Sequence, residues 1–460
     1  MIYILFIALF ILTGVAFIAG NRNILSPWTI VCAMFTLSTF FAMINVKNWG
    51  FTMDASTVLI ILSALVVFGA AQQLVLHLME KRRMVVCGGR TSYPMAEGRA
   101  SDSHTPIELS FVQMLLVCGV LFVMLLFYFY KTYQLSLTAG NPGGFSLMLK
   151  YVREATLNFG TIGKLGNIFA VIAQAAGYVF TFIFLYNFIL RGWKWRDILL
   201  LVPLVFLMAF RVLSAARDGF IIDIVFILIV GCVLYQQKKR WNYWNTIKII
   251  LLGAGALCLF LVIFRLTGLM KDSGTGTTIF SSISKYIGFS IPGFNDYVLN
   301  PRPDTGYLGD HTLLSVYSVL RQLGLDLPQL SIHHDFVAFP GIESNVYSCL
   351  RRYIEDYSYL GMYIIMGGIG ALYSAMFHMV QSRPQSNFLL IVYANFAYSL
   401  FMCSIDDQFL LYIFSTTFLY LMVFVGAFYY FFVYRHLHPK VRVAQGSFVC
   451  QMRREAERKG

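Results

Sequence analysis

Apolar runs of membrane length, set one after another with short connections, limit this chain to a narrow set of folds. A helix needs about 20 apolar residues to cross the hydrocarbon core of a bilayer. Eleven segments reach or approach that length: 2–19, 28–46, 57–78, 110–130, 168–190, 198–210, 220–235, 249–266, 361–380, 387–403 and 409–432. Strands of a membrane barrel would instead be about ten residues long and alternate in polarity. The composition, 58% hydrophobic and 12% charged, carries about half the charge of a soluble domain. The sequence therefore predicts an all-α polytopic membrane protein with about 11 transmembrane helices. The first run has no basic stretch before it and no small-residue cleavage site after it, so it is expected to be a retained span. Two runs, 198–210 and 220–235, are short and approach Arg211 and Arg217. Short spans beside charge are expected where helices stop within the membrane and line a cavity.

Lysine and arginine set the orientation. They concentrate in the connections 80–90, 191–197, 236–248 and 381–386 and in the tail after Val433, so this side is read as cytoplasmic. The N-terminus and the interval 267–360 then lie outside and the C-terminus inside. Four regions follow: a bundle of about eight spans over 1–266, a large external loop over 267–360, about three spans over 361–432 and a basic tail over 433–460. On this reading the net charge of +13 reports topology, and no nucleic-acid partner is expected. The eight cysteines are scattered without a CxxC pair. No metal or redox role follows from them, and a Cys349–Cys403 bridge on the outer side is conceivable without being supported by spacing. Residues 84–105 read as a flexible loop, and 145–159 as an amphipathic helix on the outer surface. No internal repeat marks an inverted-repeat transporter.

Titratable groups collect in the 267–360 interval, which is too long to be structureless unless functional and should contain short helices. Arg211, Arg217, Arg265, Arg351 and Arg352 fall at the external ends of spans. Arginine there is always charged and offers a fork that matches phosphate oxygens, although snorkelling to headgroups explains most interfacial arginines. Arg217 stands out because Ser214, Ala215, Ala216 and Gly219 around it are small. His333, His334 and Asp335 are adjacent, which is poor geometry for three ligands on one ion, so no metal is expected. General-base candidates are Asp335, Glu343 and Asp356, with His333 and His334 also in the interval. Asp223 stands inside a span, where it could be the satisfied partner of a neighbouring helix. So few acids within spans count against an ion-coupled carrier.

Two stretches carry a resemblance. SAARDGFIIDIVFIL at 214–228 resembles the small-residue-plus-arginine entry to a span in O-antigen and capsule polymerases. NVYSCLRRYIEDYSYLGMYI at 345–364 resembles their Asn-x-Tyr … Tyr-x-Asp-aromatic-x-x-x-Gly pattern at the end of the large external loop, with its glycine at 361. The chain is similar to the Wzy-like oligosaccharide repeat-unit polymerase family, with Asp356-Tyr357-Ser358 where that family has residues like Asp-Phe-Gly. The resemblance implies a GT-C-like glycosyltransferase architecture and a metal-independent enzyme without cofactor in a bacterial cytoplasmic membrane. Donor and acceptor would both be lipid-linked oligosaccharides, and a chain-length regulator is a further expected partner besides the membrane lipids. The arginines would hold the departing undecaprenyl pyrophosphate. Asp335, Glu343 or Asp356 would activate the acceptor, and His333, His334, Asn345, Tyr347 and Tyr353 would contact sugar. A lipid-linked-glycan ligase and a polysaccharide flippase or transporter are the competing expectations.

Overall fold

The computed structural model describes the whole chain except residues 87–104, 142, 145–147, 153–154, 156–161, 215–217, 239–246, 249–250, 252–254, 256–278, 302–306, 329, 331–333, 384–385 and 438–460. Among the described residues, eight helices are long and apolar enough to cross a membrane. In chain order the principal helices are α1 (Ile2–Ala19), α2 (Pro27–Ile44), α3 (Ala55–Val86), α4 (Phe111–Thr138), α5 (Lys164–Arg191), α6 (Val202–Leu213) and α7 (Asp218–Lys238). Three short helices follow, α8 (Ile279–Gly288), α9 (Ser290–Leu299) and α10 (Leu314–Gln322), then strands β1 (Val337–Phe339) and β2 (Ile342–Ser344). The last helices of the bundle are α11 (Cys349–Ser382), α12 (Asn387–Met402) and α13 (Thr416–Tyr429). The chain is an all-α polytopic membrane protein with one small hairpin outside the bundle.

Of the expected spans, 198–210 forms a 3-10 stretch, Trp195–Leu201, running into the 12-residue α6. Pro203 sits in the first turn of α6, where its missing N–H leaves no intrahelical bond unmade. The expected span at 387–403 is the 16-residue α12, and 249–266 lies almost wholly outside the described residues. The described part of 145–159 buries Met148, Val152 and Ala155. The 409–432 segment is interrupted, because a π-turn at Phe409–Ile413 precedes α13. The span expected at 361–380 lies within α11, which opens at Cys349 rather than at 361. A backbone break at Ser358 separates its charged first turns from the apolar remainder.

Close backbone approach holds α3 against α11 and α2. A Cβ at Gly370 of α11 would lie 2.5 Å from the Phe68 carbonyl oxygen, and one at Gly69 would lie 2.1 Å from the Trp28 ring. Gln72 of α3 reaches the start of α2, where its Oε1 accepts the Trp28 N–H at 2.9 Å and its Nε2 donates to Ser26 Oγ at 2.9 Å. One of the N–H groups orphaned at a helix start is thereby satisfied inside the bundle.

Residues 279–344 supply the short helices expected of the polar interval, together with a hairpin that the sequence did not signal. Strands β1 and β2 pair antiparallel, with Val337 opposite Ser344 and Phe339 opposite Ile342. The turn between them rests on the one-turn helix Val46–Trp49, so closely that a Cβ at Gly341 would overlap the Asn48 carbonyl oxygen. Trp49, Phe51, Phe289 and Phe339 form a ring cluster beneath it. The amide of Asn295 on α9 accepts from Asp54 N–H and donates to the Thr52 carbonyl. The polar interval is therefore seated on the α2–α3 connection, over the start of α11.

Candidate active site

The first nine residues of α11 carry Arg351, Arg352, Glu355 and Asp356, yet each of these charged side chains is buried, that of Glu355 included at 7% exposed. A helix with that many charges is ordinarily solvated on at least one side. Here helical spacing sorts the charges. Arg351 and Glu355, four residues apart, share one face, and the Arg351 Nε and Nη2 each lie 2.9 Å from Glu355 Oε1. The guanidinium is stacked over the Tyr347 ring at 4.0 Å and lies 5.2 Å from that of Tyr297.

Arg352 turns to the segment after α12. Its Nε donates to Asp406 Oδ1 at 2.7 Å, its Nη2 to Asp406 Oδ2 at 3.1 Å, and its Nη1 to the His311 carbonyl at 3.0 Å. One residue on, the Tyr353 hydroxyl donates to Asp407 Oδ1 at 2.7 Å. Three residues before Arg352, the Cys349 N–H donates to the Cys403 carbonyl and the two sulfurs are 3.1 Å apart. Apart from the bond to the His311 carbonyl, these contacts join residues 54 apart in sequence. The segments 349–353 and 403–407 therefore run side by side in step. Asp407 also accepts the N–H groups of Phe409 and Leu410, which fixes the π-turn. Burial pushes the Asp407 carboxyl up to about 6, although the Tyr353 hydroxyl and the Leu410 N–H pull it down.

Asp356 is held by a strap from the polar interval. Its two oxygens accept the His311 N–H at 3.1 Å and the Thr312 hydroxyl at 2.5 Å, and the same hydroxyl lies 2.9 Å from the Tyr357 OH. His311 Nε2 is 3.6 Å from Asp310 Oδ1 and 3.8 Å from Glu355 Oε2. His334 is buried with Nδ1 3.9 Å from Glu355 Oε2, and its ring lies 6.0 Å from that of His311.

Beyond this cluster, Arg211 at the end of α6 pairs with Asp223 of α7 through two hydrogen bonds of 3.1 and 3.0 Å. Asp223 also accepts the Tyr178 hydroxyl at 2.7 Å, so the acid expected to be satisfied by a neighbouring helix is satisfied by two. Gln174 donates to the hydroxyls of Tyr178 and Tyr412. Tyr412 belongs to the π-turn, and π-turns recur at functional sites. The Arg211 and Arg352 clusters thus meet the same turn at one end of the bundle.

Several expected residues are placed by these contacts. Arg351, Arg352, Tyr347, Tyr353, His334 and Asp356 come together, and Tyr347 OH reaches the Asp335 carbonyl at 3.0 Å. Asn345 is half-buried between β2 and α11, while Asp335 and Glu343 are exposed. Arg217, Arg265 and His333 lie outside the described residues. Asp310, His311, Glu355, Asp406 and Asp407 complete the cluster without having been singled out. Three of them had a readable signal: Glu355 stands four residues after Arg351, and Asp406-Asp407 is a pair of acids set against an apolar span.

Ser358 has φ 60° and ψ −178°, a backbone region that essentially only glycine enters without strain. Ser358→Gly is therefore expected to raise stability by about 1 kcal/mol, the relieved strain outweighing the greater freedom of glycine when unfolded. Thermal unfolding in detergent, with Ser358→Ala as the strained control, tests this. A glycine variant no more stable than the alanine one would remove strain as the explanation. No family model, curated protein or solved structure matches this chain.

Proposed function

We propose that this protein polymerises lipid-linked oligosaccharide repeat units at the external face of a bacterial cytoplasmic membrane. The observation that carries the proposal is the buried helix start holding Arg351, Arg352, Glu355 and Asp356 at one end of a membrane bundle, strapped by the polar interval. Ionisable groups packed this densely where a membrane protein meets its surface are retained for function.

The reaction is a displacement at the anomeric carbon of the growing glycan. The acceptor hydroxyl oxygen forms the new C–O bond as the bond to the carrier pyrophosphate breaks. Asp356 takes the hydroxyl proton, and the leaving group departs with the bonding electron pair. Arg351 keeps Nη1 without a hydrogen-bond partner among the described residues, so it has an N–H to give to a leaving oxygen. Arg211 and Arg352 are already bound to Asp223 and Asp406, and they shape the site through those acids. Donors fixed in advance stabilise developing charge best where water is excluded.

A strain lacking the gene, complemented or not with the wild-type chain, tests the proposal through its glycan ladder. The expected result is single repeat units on the final acceptor without the gene and a full ladder with it. Polymer retained on its carrier lipid would identify a ligase instead. Lipid-linked units trapped in the inner leaflet would identify a flippase.

A further inference from the structure

The described residues of the cluster set five carboxylates, Asp310, Glu355, Asp356, Asp406 and Asp407, against two guanidiniums, Arg351 and Arg352. Inside the cluster, Glu355 Oε2, on a side chain 7% exposed, is one of the buried atoms without a hydrogen-bond partner among the described residues, with Arg351 Nη1 and Asp407 Oδ2. A buried carboxylate oxygen left without a donor is expensive. That of Glu355 is aimed between two imidazole nitrogens, His311 Nε2 at 3.8 Å and His334 Nδ1 at 3.9 Å, both too far to be hydrogen-bonded to it. The three ligand atoms all lie within 4.8 Å of one another. Metal bonds of 2.0–2.1 Å in a tetrahedron place ligands about 3.4 Å apart. A shift of about half an ångström in each side chain would therefore seat an ion at their centre.

We infer that His311, His334 and Glu355 form a binding site for a divalent transition metal of the zinc class. Two imidazoles and one carboxylate suit zinc better than the all-oxygen sets that hold calcium or magnesium. Three protein ligands leave one position open, as in zinc sites that bind a substrate or water oxygen. Arg351 on Glu355 Oε1 fixes the carboxylate from behind, the part that outer-shell partners play at metal sites. A second trio, Asp310, His311 and Asp356, shares His311, but both Asp356 oxygens already accept hydrogen bonds. The histidine that contributes is His334 of the His333-His334-Asp335 run. Its partners are distant in sequence, so the site departs from the expectation of no metal. It stands independently of the polymerase proposal.

The test uses the full chain purified in detergent and stripped with a chelator, then titrated with Zn²⁺ and with Co²⁺. The expected result is one equivalent bound, with Co²⁺ giving the intense visible absorption of four-coordinate nitrogen and oxygen ligation. His334→Ala and Glu355→Gln should each weaken Zn²⁺ binding by more than the about 10- to 100-fold typical of an outer-shell partner, while Glu343→Gln should leave it unchanged. Binding should also weaken as pH falls and the imidazoles protonate. Wild-type protein that binds no stoichiometric metal overturns the site, as does a six-coordinate Co²⁺ spectrum. So does unchanged binding by variants that remain monodisperse. A normal glycan ladder alongside any of these results would leave the polymerase proposal standing.

Discussion

Replacing Asp356 with asparagine is expected to reduce polymer formation by about 10²- to 10⁴-fold, the range that a positioned general base contributes. Asparagine is nearly isosteric. Its Oδ1 can still accept the His311 N–H, and its Nδ2 can donate to the Thr312 hydroxyl, which remains able to donate to Tyr357. The strap over α11 should therefore survive while the proton acceptor is lost. Asp335→Asn and Glu343→Gln remove the other two candidate bases, both exposed, and should stay within about twofold of wild type, as expected for exposed changes. Polymer formed per unit time from lipid-linked repeat units, in membranes matched for protein level, measures all three. An Asp356→Asn variant within about tenfold of wild type would take proton abstraction away from this residue.

The second large effect concerns stability. Arg352→Met should destabilise the protein by about 3 kcal/mol, the lower end for breaking a buried ion pair from one side. The side chain of Arg352 is 2% exposed and that of Asp406 is 29% exposed, so water relieves part of the penalty on the stranded acid. The His311 carbonyl loses a donor as well. In the double variant Arg352→Met/Asp406→Leu most of the loss should return, because no charge is left unpaired. Thermal unfolding in detergent of the two single variants and the double forms a cycle that isolates the pair. A single variant within about 1 kcal/mol of wild type would mean that the pair does not hold these segments together.

How far the sequence reveals this molecule depends on whether the governing contacts are local. Ile2–Ala19 is legible to the residue because a continuous apolar run allows little else. The start of α11 is not legible in the same way. Arg351, Arg352, Glu355 and Asp356 read locally as the end of a polar loop, and what makes them interior is Asp406, His311 and Thr312, which are 54, 41 and 44 residues from their partners. Their position at a span end makes the arginines candidates for phosphate forks and says nothing of their protein partners. That Arg211 and Arg352 each face a carboxylate follows only from folding, which brings Asp223 and Asp406 opposite them. The same limit explains the histidines. The adjacent pair drew attention as a unit, while the structure joins His334 to His311, 23 positions upstream.

The contacts at a constant separation of 54 also have a mechanical consequence. Helices α11 and α12 are joined at one end by the short connection after Ser382 and clasped at the other by Cys349, Arg352 and Tyr353 against Cys403, Asp406 and Asp407. Together they form a closed frame, and a closed frame transmits load instead of dissipating it. A chain of hydrogen bonds joins the 310–312 strap to Asp356 and Arg352, and the clasp to Asp407 and to the π-turn that Asp407 fixes and that Tyr412 ties to Gln174. Within the frame, Ser358 is the place where the regular helical backbone is already interrupted, and a rotation of the charged turns against the apolar shaft would concentrate there. The polar strap and the Arg211–Asp223 pair on α6 and α7 are in this sense ends of one chain of contacts, and Ser358 is where the helix within it is broken.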